Sequence, residues 1–237
     1  MAQENIMELM QKPEIKQAMQ AMMFRHFEQQ KKSTLKRYKM LNQYAKKGQI
    51  LFVGSSLMEG FPINEMQLTL YNECVIYNRG IGATTTDDLL ASMNECIFDL
   101  RPSKIFINIG TNDIGSPAGY NKENLIANYS KIMDQIKDRL PECEVYVMAY
   151  YPINAKADFG LDKSMKDTMF ATRTNATIME ANEAVEELSK NHEFNFINVN
   201  EGLADEEGNL KAEFSMEGLH LWPNAYSVIL ENMKKYL

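Results

Sequence analysis

Four short stretches carry residue types that could do chemistry together: Gly54-Ser55-Ser56, Gly82-Ala83, Asn112 and Glu217-Gly218-Leu219-His220. They offer a hydroxyl nucleophile, an imidazole base, a carboxylate three residues before the base, and amide donors. Acyl transfer needs those parts. A base takes the proton of the attacking hydroxyl, a carboxylate fixes the base's tautomer, and N–H donors meet the oxyanion. On this pattern either serine could attack. Each stretch alone also reads as ordinary structure: Gly-Ser-Ser and Gly110-Thr111-Asn112-Asp113 are good turns in their own right. His192, in Lys190-Asn191-His192-Glu193, reads as a helix-exit residue favoured by the helix dipole, and His26 as a packed or surface histidine. What gives the four stretches meaning is their order and their place at the ends of strands.

Ile50-Leu51-Phe52-Val53 is an unbroken apolar run closed by Gly54, the signature of a strand buried on both faces. Further strands are expected at Cys74–Asn78, Lys104–Ile109, Glu144–Tyr151 and Phe194–Val199. Helices are expected between them. One starts at a Thr85-x-x-Asp88 capping box and runs to Leu100 before Pro102; others cover Lys122–Arg139, Thr174–Asn191 and a final segment from Pro223. Residues 153–171 show no period and read as a long loop, a type that often binds. Strands alternating with helices predict an α/β three-layer sandwich, with a mostly parallel five-stranded sheet covered on both faces. The carboxyl ends of parallel strands share one edge, where ligands bind, so the four stretches converge there.

A chain of 237 residues suffices for one such domain plus an appendage. The division expected is a helical extension over 1–48 and a core over 49–237. In the extension, Pro13 suits a first helical position, and Ile15, Met19, Met22 and His26 follow at helical spacing. Ser33 is read as the cap of a second helix with Leu35, Tyr38, Leu41 and Ala45 inward, stopped by Lys46-Lys47-Gly48. The segment could lie on the core, cover the site, or pair two subunits, so a homodimer through these helices is one expectation. The net charge of −7 argues against a nucleic-acid partner. Three scattered cysteines, Cys74, Cys96 and Cys143, argue against a disulfide scaffold and against a zinc site. With no signal pattern at Met1-Ala2-Gln3-Glu4 and no membrane-length apolar run, a cytoplasmic protein without an integral membrane segment is expected.

The chain resembles the SGNH hydrolases, or GDSL esterases/lipases, from about Ile50 to Tyr226. The family's Gly-Asp-Ser block corresponds to Gly54-Ser55-Ser56, and its second block to Asn78-Arg79-Gly80-Ile81-Gly82-Ala83. Its Gly-x-Asn-Asp block is Gly110-Thr111-Asn112-Asp113, and its Asp-x-x-His block is Glu217-x-x-His220. The resemblance implies a flavodoxin-like SGNH fold and selects Ser56 over Ser55 as nucleophile. It implies His220 as base and Glu217 as the residue that orients it. The oxyanion hole would comprise the backbone N–H groups of Ser56 and of Ala83 or Gly82, with the Asn112 side chain. Three positions depart from the pattern: Ser55 for aspartate, Ala83 for the oxyanion glycine, Glu217 for the triad aspartate. The expected activity is a serine esterase acting on a carboxylic ester: a small acyl ester, an acetylated sugar or a lysophospholipid. An acyltransferase, or an inactive binding module on the same fold, is the alternative. Trp222 and Tyr151, with Tyr150 and Phe159, are read either as lining an acyl or sugar pocket or as packing residues at its rim. The reaction calls for no metal or cofactor, and the sequence has no HExxH, P-loop or complete Rossmann fingerprint.

Overall fold

The computed structural model describes residues 12–70 and 74–237; residues 1–11, the start of the expected extension, lie outside that range. Five strands, β1 (Ile50–Gly54), β2 (Ile76–Asn78), β3 (Lys104–Asn108), β4 (Glu144–Met148) and β5 (Asn195–Ile197), form one sheet in the order β2-β1-β3-β4-β5. Every pairing is parallel. β1 lies inside the sheet, paired with β2 on one side and β3 on the other. Successive side chains on a strand point to opposite faces. Leu51 and Val53 therefore enter one core with Ile105, Ile107, Val145 and Val147, while Ile50 and Phe52 enter another with Phe106, Met148 and Ile197. Both cores are buried, which is why β1 reads as a continuous apolar run and not as an alternating one.

Helices α1 (Pro13–Leu41), α4 (Thr86–Ala91), α5 (Met93–Cys96), α7 (Lys122–Arg139) and α9 (Asn175–Asn191) give residues to the first core. Helices α2 (Ser56–Glu59), α3 (Ile63–Met66) and α10 (Pro223–Met233) close the second. α6 (Thr111–Ile114) sits at the exit of β3, and α8 (Lys163–Phe170) lies on the surface.

Three details differ from the sequence-based expectation. The extension contains one continuous helix, α1, of 29 residues, about 43 Å long. Ser33 caps nothing; it is exposed mid-helix, between good helix formers with no glycine or proline to break the run. The helix stops at Leu41, and Gly48 (φ 74°) serves instead the turn leading into β1, where its N–H bonds the Arg101 carbonyl. Second, the helix that starts at Thr85 breaks at Ser92 (φ −127°, ψ 19°), whose hydroxyl donates back to the Asp88 carbonyl at 2.7 Å. Such back-bonding competes with the helix ladder. Third, the stretch 153–171 is not all loop. Asp162 caps α8 by accepting from the Met165 N–H at 2.9 Å. No residue of α8 is fully buried, and only Met169 and Phe170, at its C-terminal end, pack against the first core.

Candidate active site

The carboxyl edge of the sheet is built by backbone fit. Gly54 ends β1 in register with Asn108, and an added Cβ there would overlap the Asn108 carbonyl. Glycine thus lets β1 and β3 approach closely and bring Ser56 and Asn112 out at neighbouring strand ends. Ser55, extended and buried, precedes α2, and Ser56 is the first residue of that helix. The Ser56 N–H therefore has no helical acceptor, and among the described residues it has no other. The Ser55 hydroxyl, at the position where the Gly-Asp-Ser pattern has aspartate, is buried and finds no protein partner among the described residues.

The loop after β2 is tied to α2 from below. Asn78 Nδ2 donates to the Met58 carbonyl at 2.5 Å, and the Gly80 N–H donates to Asn78 Oδ1 at 2.8 Å. Gly80 must be glycine, because a Cβ would collide with the Glu59 backbone. The loop then turns through Ala83 at φ 57°, a left-handed conformation that alanine adopts at a cost of roughly 1–2 kcal/mol. The N–H groups of Gly82 and Ala83 have no acceptor among the described residues. Asn112, in the first turn of α6, donates one amide hydrogen to the Thr84 carbonyl at 3.0 Å, which fixes the plane of the amide beside the same loop. Its neighbour Asp113 accepts from the Thr86 N–H and hydroxyl and so ties α6 to the start of α4. Burial holds the Asp113 carboxyl above its ordinary value, against the hydrogen bonds from Thr86.

Glu217 and His220 sit in a turn pinched by the Ser215–Leu221 bridge. Gly218 (φ 98°) donates to Ser215 Oγ at 2.7 Å and accepts from the Asn154 N–H at 2.8 Å. A Cβ at Gly218 would overlap the Asn154 carbonyl. This locked turn brings Glu217 Oε1 within 2.5 Å of His220 Nδ1 and 3.0 Å of the His220 backbone N–H. His220 Nε2 then lies 2.9 Å from Ser56 Oγ, completing a carboxylate–imidazole–hydroxyl chain across 164 residues of sequence. Burial alone would raise the Glu217 carboxyl. Hydrogen bonds and charge from His220, with the nearby Arg173, outweigh it, and the carboxyl titrates below its ordinary value. The Arg173 guanidinium is itself buried and donates to the Thr111 carbonyl.

These groups open into a cavity of about 420 Å³ lined by Ser56, Gly82, Ala83, Asn112 and His220 on one side. The other side carries His26, Phe27, Gln30, Lys31 and Thr34 of α1, with Glu59 and Ile81 between. A wider cleft of about 630 Å³, between residues 116–119 and α8, holds no histidine and no partner for one. Five of the six residues expected in the catalytic and oxyanion set thus line one cavity, and the sixth, Glu217, stands behind His220 and lines a separate small one.

The expected substrate-lining residues do not. Tyr151 is 3% exposed and belongs to the second core with Phe106, Met148 and Tyr226; the chain turns it under the sheet edge, away from the cavity. Trp222 occupies the N-cap position of α10, 47% exposed and outside the cavity lining. Tyr150 is also buried, its hydroxyl donating to the Ile109 carbonyl beneath Gly110. Phe159 lines a separate small cavity behind Glu217. The sequence reading missed Glu59 and the α1 residues. Phe27, Gln30, Lys31 and Thr34 do recur at helical spacing, but nothing in the pattern says what that face meets.

The GDSL-like lipase/acylhydrolase family model matches residues 52–228. Among solved structures, a Streptococcus pneumonia protein provisionally assigned as a platelet activating factor is 27% identical. It superimposes with a TM-score of 0.80 over 92% of this chain and 98% of that one. A GDSL-like lipase of Bacteroides thetaiotaomicron shares the fold at 22% identity and a TM-score of 0.68, over 85% of this chain and 96% of that one. The N-acylneuraminate cytidylyltransferase of Escherichia coli O18:K1:H7 is 25% identical over 193 residues, 81% of this chain. The aligned part is 40% of that protein, so this chain spans well under half the length of the curated relative it matches. The family model spans most of the chain, including all four of the stretches named above, and on that ground the chain belongs to the GDSL-like lipase/acylhydrolase family.

Proposed function

We propose that the chain hydrolyses a small carboxylic ester through an acyl-enzyme on Ser56. The observation that carries this reading is the unbroken Glu217–His220–Ser56 hydrogen-bond chain, at 2.5 and 2.9 Å. His220 Nε2 takes the Ser56 proton as Oγ attacks the ester carbonyl. Glu217 holds the proton on Nδ1 and balances the imidazolium that forms. The oxyanion is met by the Ser56 N–H, the N–H of Ala83 or Gly82, and the second amide hydrogen of Asn112. All are fixed before substrate arrives, so they need no reorganisation as charge develops. His220 then protonates the departing alcohol. Its side chain is 39% exposed, so water can reach the same base, lose a proton to it and release the acid.

Glutamate serves in place of aspartate because, from the 217–220 turn, its Oε1 reaches both His220 Nδ1 and the His220 backbone N–H. Alanine serves in place of glycine because the donor is a backbone N–H that every residue but proline keeps.

The reading is tested by following p-nitrophenyl acetate hydrolysis by the wild-type protein and by Ser56→Ala. Activity that falls to the uncatalysed rate on substitution is the expected result. Activity that survives it would overturn the assignment.

A further inference from the structure

α1 is anchored to the body through its C-terminal half. Tyr38 Oη donates to the Gly80 carbonyl at 2.6 Å, and Lys31 pairs with Asp88 at 2.8 Å. Just past the helix end, Asn42 Nδ2 donates to the Glu95 carbonyl at 2.8 Å. The N-terminal half is bare: every side chain described from Lys12 to Phe27 is exposed. A helical stretch of that length with no packed face is marginal in water. Exposed apolar side chains are ordinary when scattered and mark an interaction surface when gathered. Among the described residues, nine of the fourteen large apolar side chains that are exposed fall between Ile15 and Tyr44.

The side of α1 turned from the body follows from Tyr38, its buried anchor. At 100° per residue, Met22, Lys36 and Met40 stand within about 20° of the line opposite Tyr38, Ile15 and Arg25 within about 40°, and Lys32 within about 60°. Met22 is 68% exposed and Met40 53%. Arg25, Lys32 and Lys36 are exposed, and none of them has an ion pair among the described residues. Glu14 is the one acid described on that side. Over its whole length α1 holds seven Lys and Arg against two acids, a charge of +5. Apolar side chains set among unpaired cations suit a helix lying in a lipid interface, where the apolar groups enter the acyl boundary and the long cationic ones reach the headgroups.

Charge and apolar area together decide what covers this face. Pairing α1 with α1 of a second copy would set +5 against +5. Residues 50–237 of a second copy, with 15 Lys and Arg against 28 acids, would attract the cations. They have no patch to receive the methionines: the other exposed large apolar side chains, Leu68, Met165, Met179, Met216 and Trp222, are scattered over four segments. An anionic bilayer offers both, and each Lys or Arg held near it strengthens binding roughly fivefold. Charges are screened beyond about 8 Å at physiological ionic strength, and a helix with its side chains is about 10 Å across. α1 thus keeps the acidic body out of reach of the lipid charge. No helix among the described residues is long and apolar enough to cross a membrane, so α1 would lie on the surface. We propose that the outward face of α1, carrying Met22, Met40, Arg25, Lys32 and Lys36, docks the protein on an anionic phospholipid surface.

The test is flotation of the full chain with vesicles of phosphatidylcholine alone and of equal parts phosphatidylcholine and phosphatidylglycerol. Wild type is expected to float with the mixed vesicles and not with the neutral ones. It should be released at 1 M salt, where the screening length falls to about 3 Å. Combining Arg25→Gln, Lys32→Gln and Lys36→Gln should lower the partition coefficient about 100-fold. Combining Met22→Ser and Met40→Ser should lower it about tenfold or more. Removing three positive charges elsewhere, with Lys156→Gln, Lys163→Gln and Lys190→Gln, should leave it nearly unchanged. All of these positions are exposed, so folding is expected to survive, and melting curves check it. Binding to neither vesicle or equally to both, α1 variants that bind like wild type, or a control set that falls as far as the α1 set would overturn the proposal. So would sedimentation of the lipid-free protein as a stable dimer that comes apart in the Met22→Ser, Met40→Ser variant, which would put a second copy on this face.

Discussion

Glu217 is the sharpest place to perturb the site, because its length and its charge can be changed separately. Its Oε1 accepts from both His220 Nδ1, at 2.5 Å, and the His220 backbone N–H, at 3.0 Å. Glu217→Asp removes one C–C bond of about 1.5 Å. The backbone cannot follow, since Gly218 is held by Ser215 Oγ and by the Asn154 N–H. The carboxylate would then stand about 4 Å from Nδ1, too far for a direct hydrogen bond. A misplacement of about 1 Å in a catalytic constellation costs on the order of 10²-fold, so kcat should fall about 100-fold, or about 2.7 kcal/mol. Glu217→Gln keeps the reach but removes the charge and lets an amide N–H face Nδ1, which favours the wrong tautomer. Loss of a triad carboxylate in this way costs roughly 10³–10⁴ in kcat, or about 4–5.5 kcal/mol. Steady-state hydrolysis of p-nitrophenyl acetate, with melting curves alongside, reads both. A Gln variant within about tenfold of wild type would refute the claim that Glu217 orients His220. An Asp variant equal to wild type would refute the claim that the turn is set for glutamate.

Further expectations concern the oxyanion side and pH. Asn112→Ala should lower kcat by roughly 10²–10³, with KM little changed. Losing the bond to the Thr84 carbonyl costs about 1 kcal/mol, so Tm should drop only about 2–4 °C; a kcat within a few-fold of wild type would remove Asn112 from the hole. Ala83→Gly should leave stability equal or raise it by up to about 1 kcal/mol, because relief of the left-handed strain is partly offset by the freer unfolded glycine. Ala83→Val should destabilise, and thermal melts that put the two variants in the opposite order would contradict the backbone assignment. The Glu217 carboxyl is held below its ordinary value, so the folded state binds its proton less readily than the unfolded chain. That contribution to stability is complete above the ordinary glutamate range of about 4.3 and is lost as pH falls through the lowered folded value. Wild-type Tm should therefore fall more steeply than that of Glu217→Gln in strongly acidic buffer; parallel curves would mean the carboxyl is not perturbed.

The sheet, and the convergence of Ser56, Asn112 and His220 at its edge, were legible in the sequence because strands and their ends leave local signatures. Ile50–Val53 is apolar at consecutive positions because both of its faces are buried, and Gly54 marks where β1 must pass close to β3. The Thr85–Asp88 capping box forms as the spacing implies, with Asp88 accepting from the Thr85 N–H at 3.0 Å. What the sequence hid depends on contacts between distant residues. Nothing local about Tyr151 distinguishes a ring turned into the second core from one facing a cavity. Trp222 sits two residues after His220, yet its N-cap position sends it outward. The course of α1 is set by Tyr38, Asn42 and Lys31, whose partners lie in the Arg79–Gly80 loop and at Asp88. Helix α8 is short, eight residues, and rests on the core only through Met169 and Phe170, which leaves too few turns for a period to stand out.

The central claim is that Ser56, and not its neighbour Ser55, is the nucleophile. The two differ by one residue but differ sharply in place: Ser56 Oγ lies 2.9 Å from His220 Nε2, while the Ser55 hydroxyl is buried without a protein partner. A fluorophosphonate probe, followed by proteolysis and tandem mass spectrometry, reads the attacking oxygen directly. The account predicts one adduct, located on Ser56, absent from Ser56→Ala and strongly slowed in His220→Ala. An adduct on Ser55 or any other residue, or labelling that persists in Ser56→Ala, would contradict it.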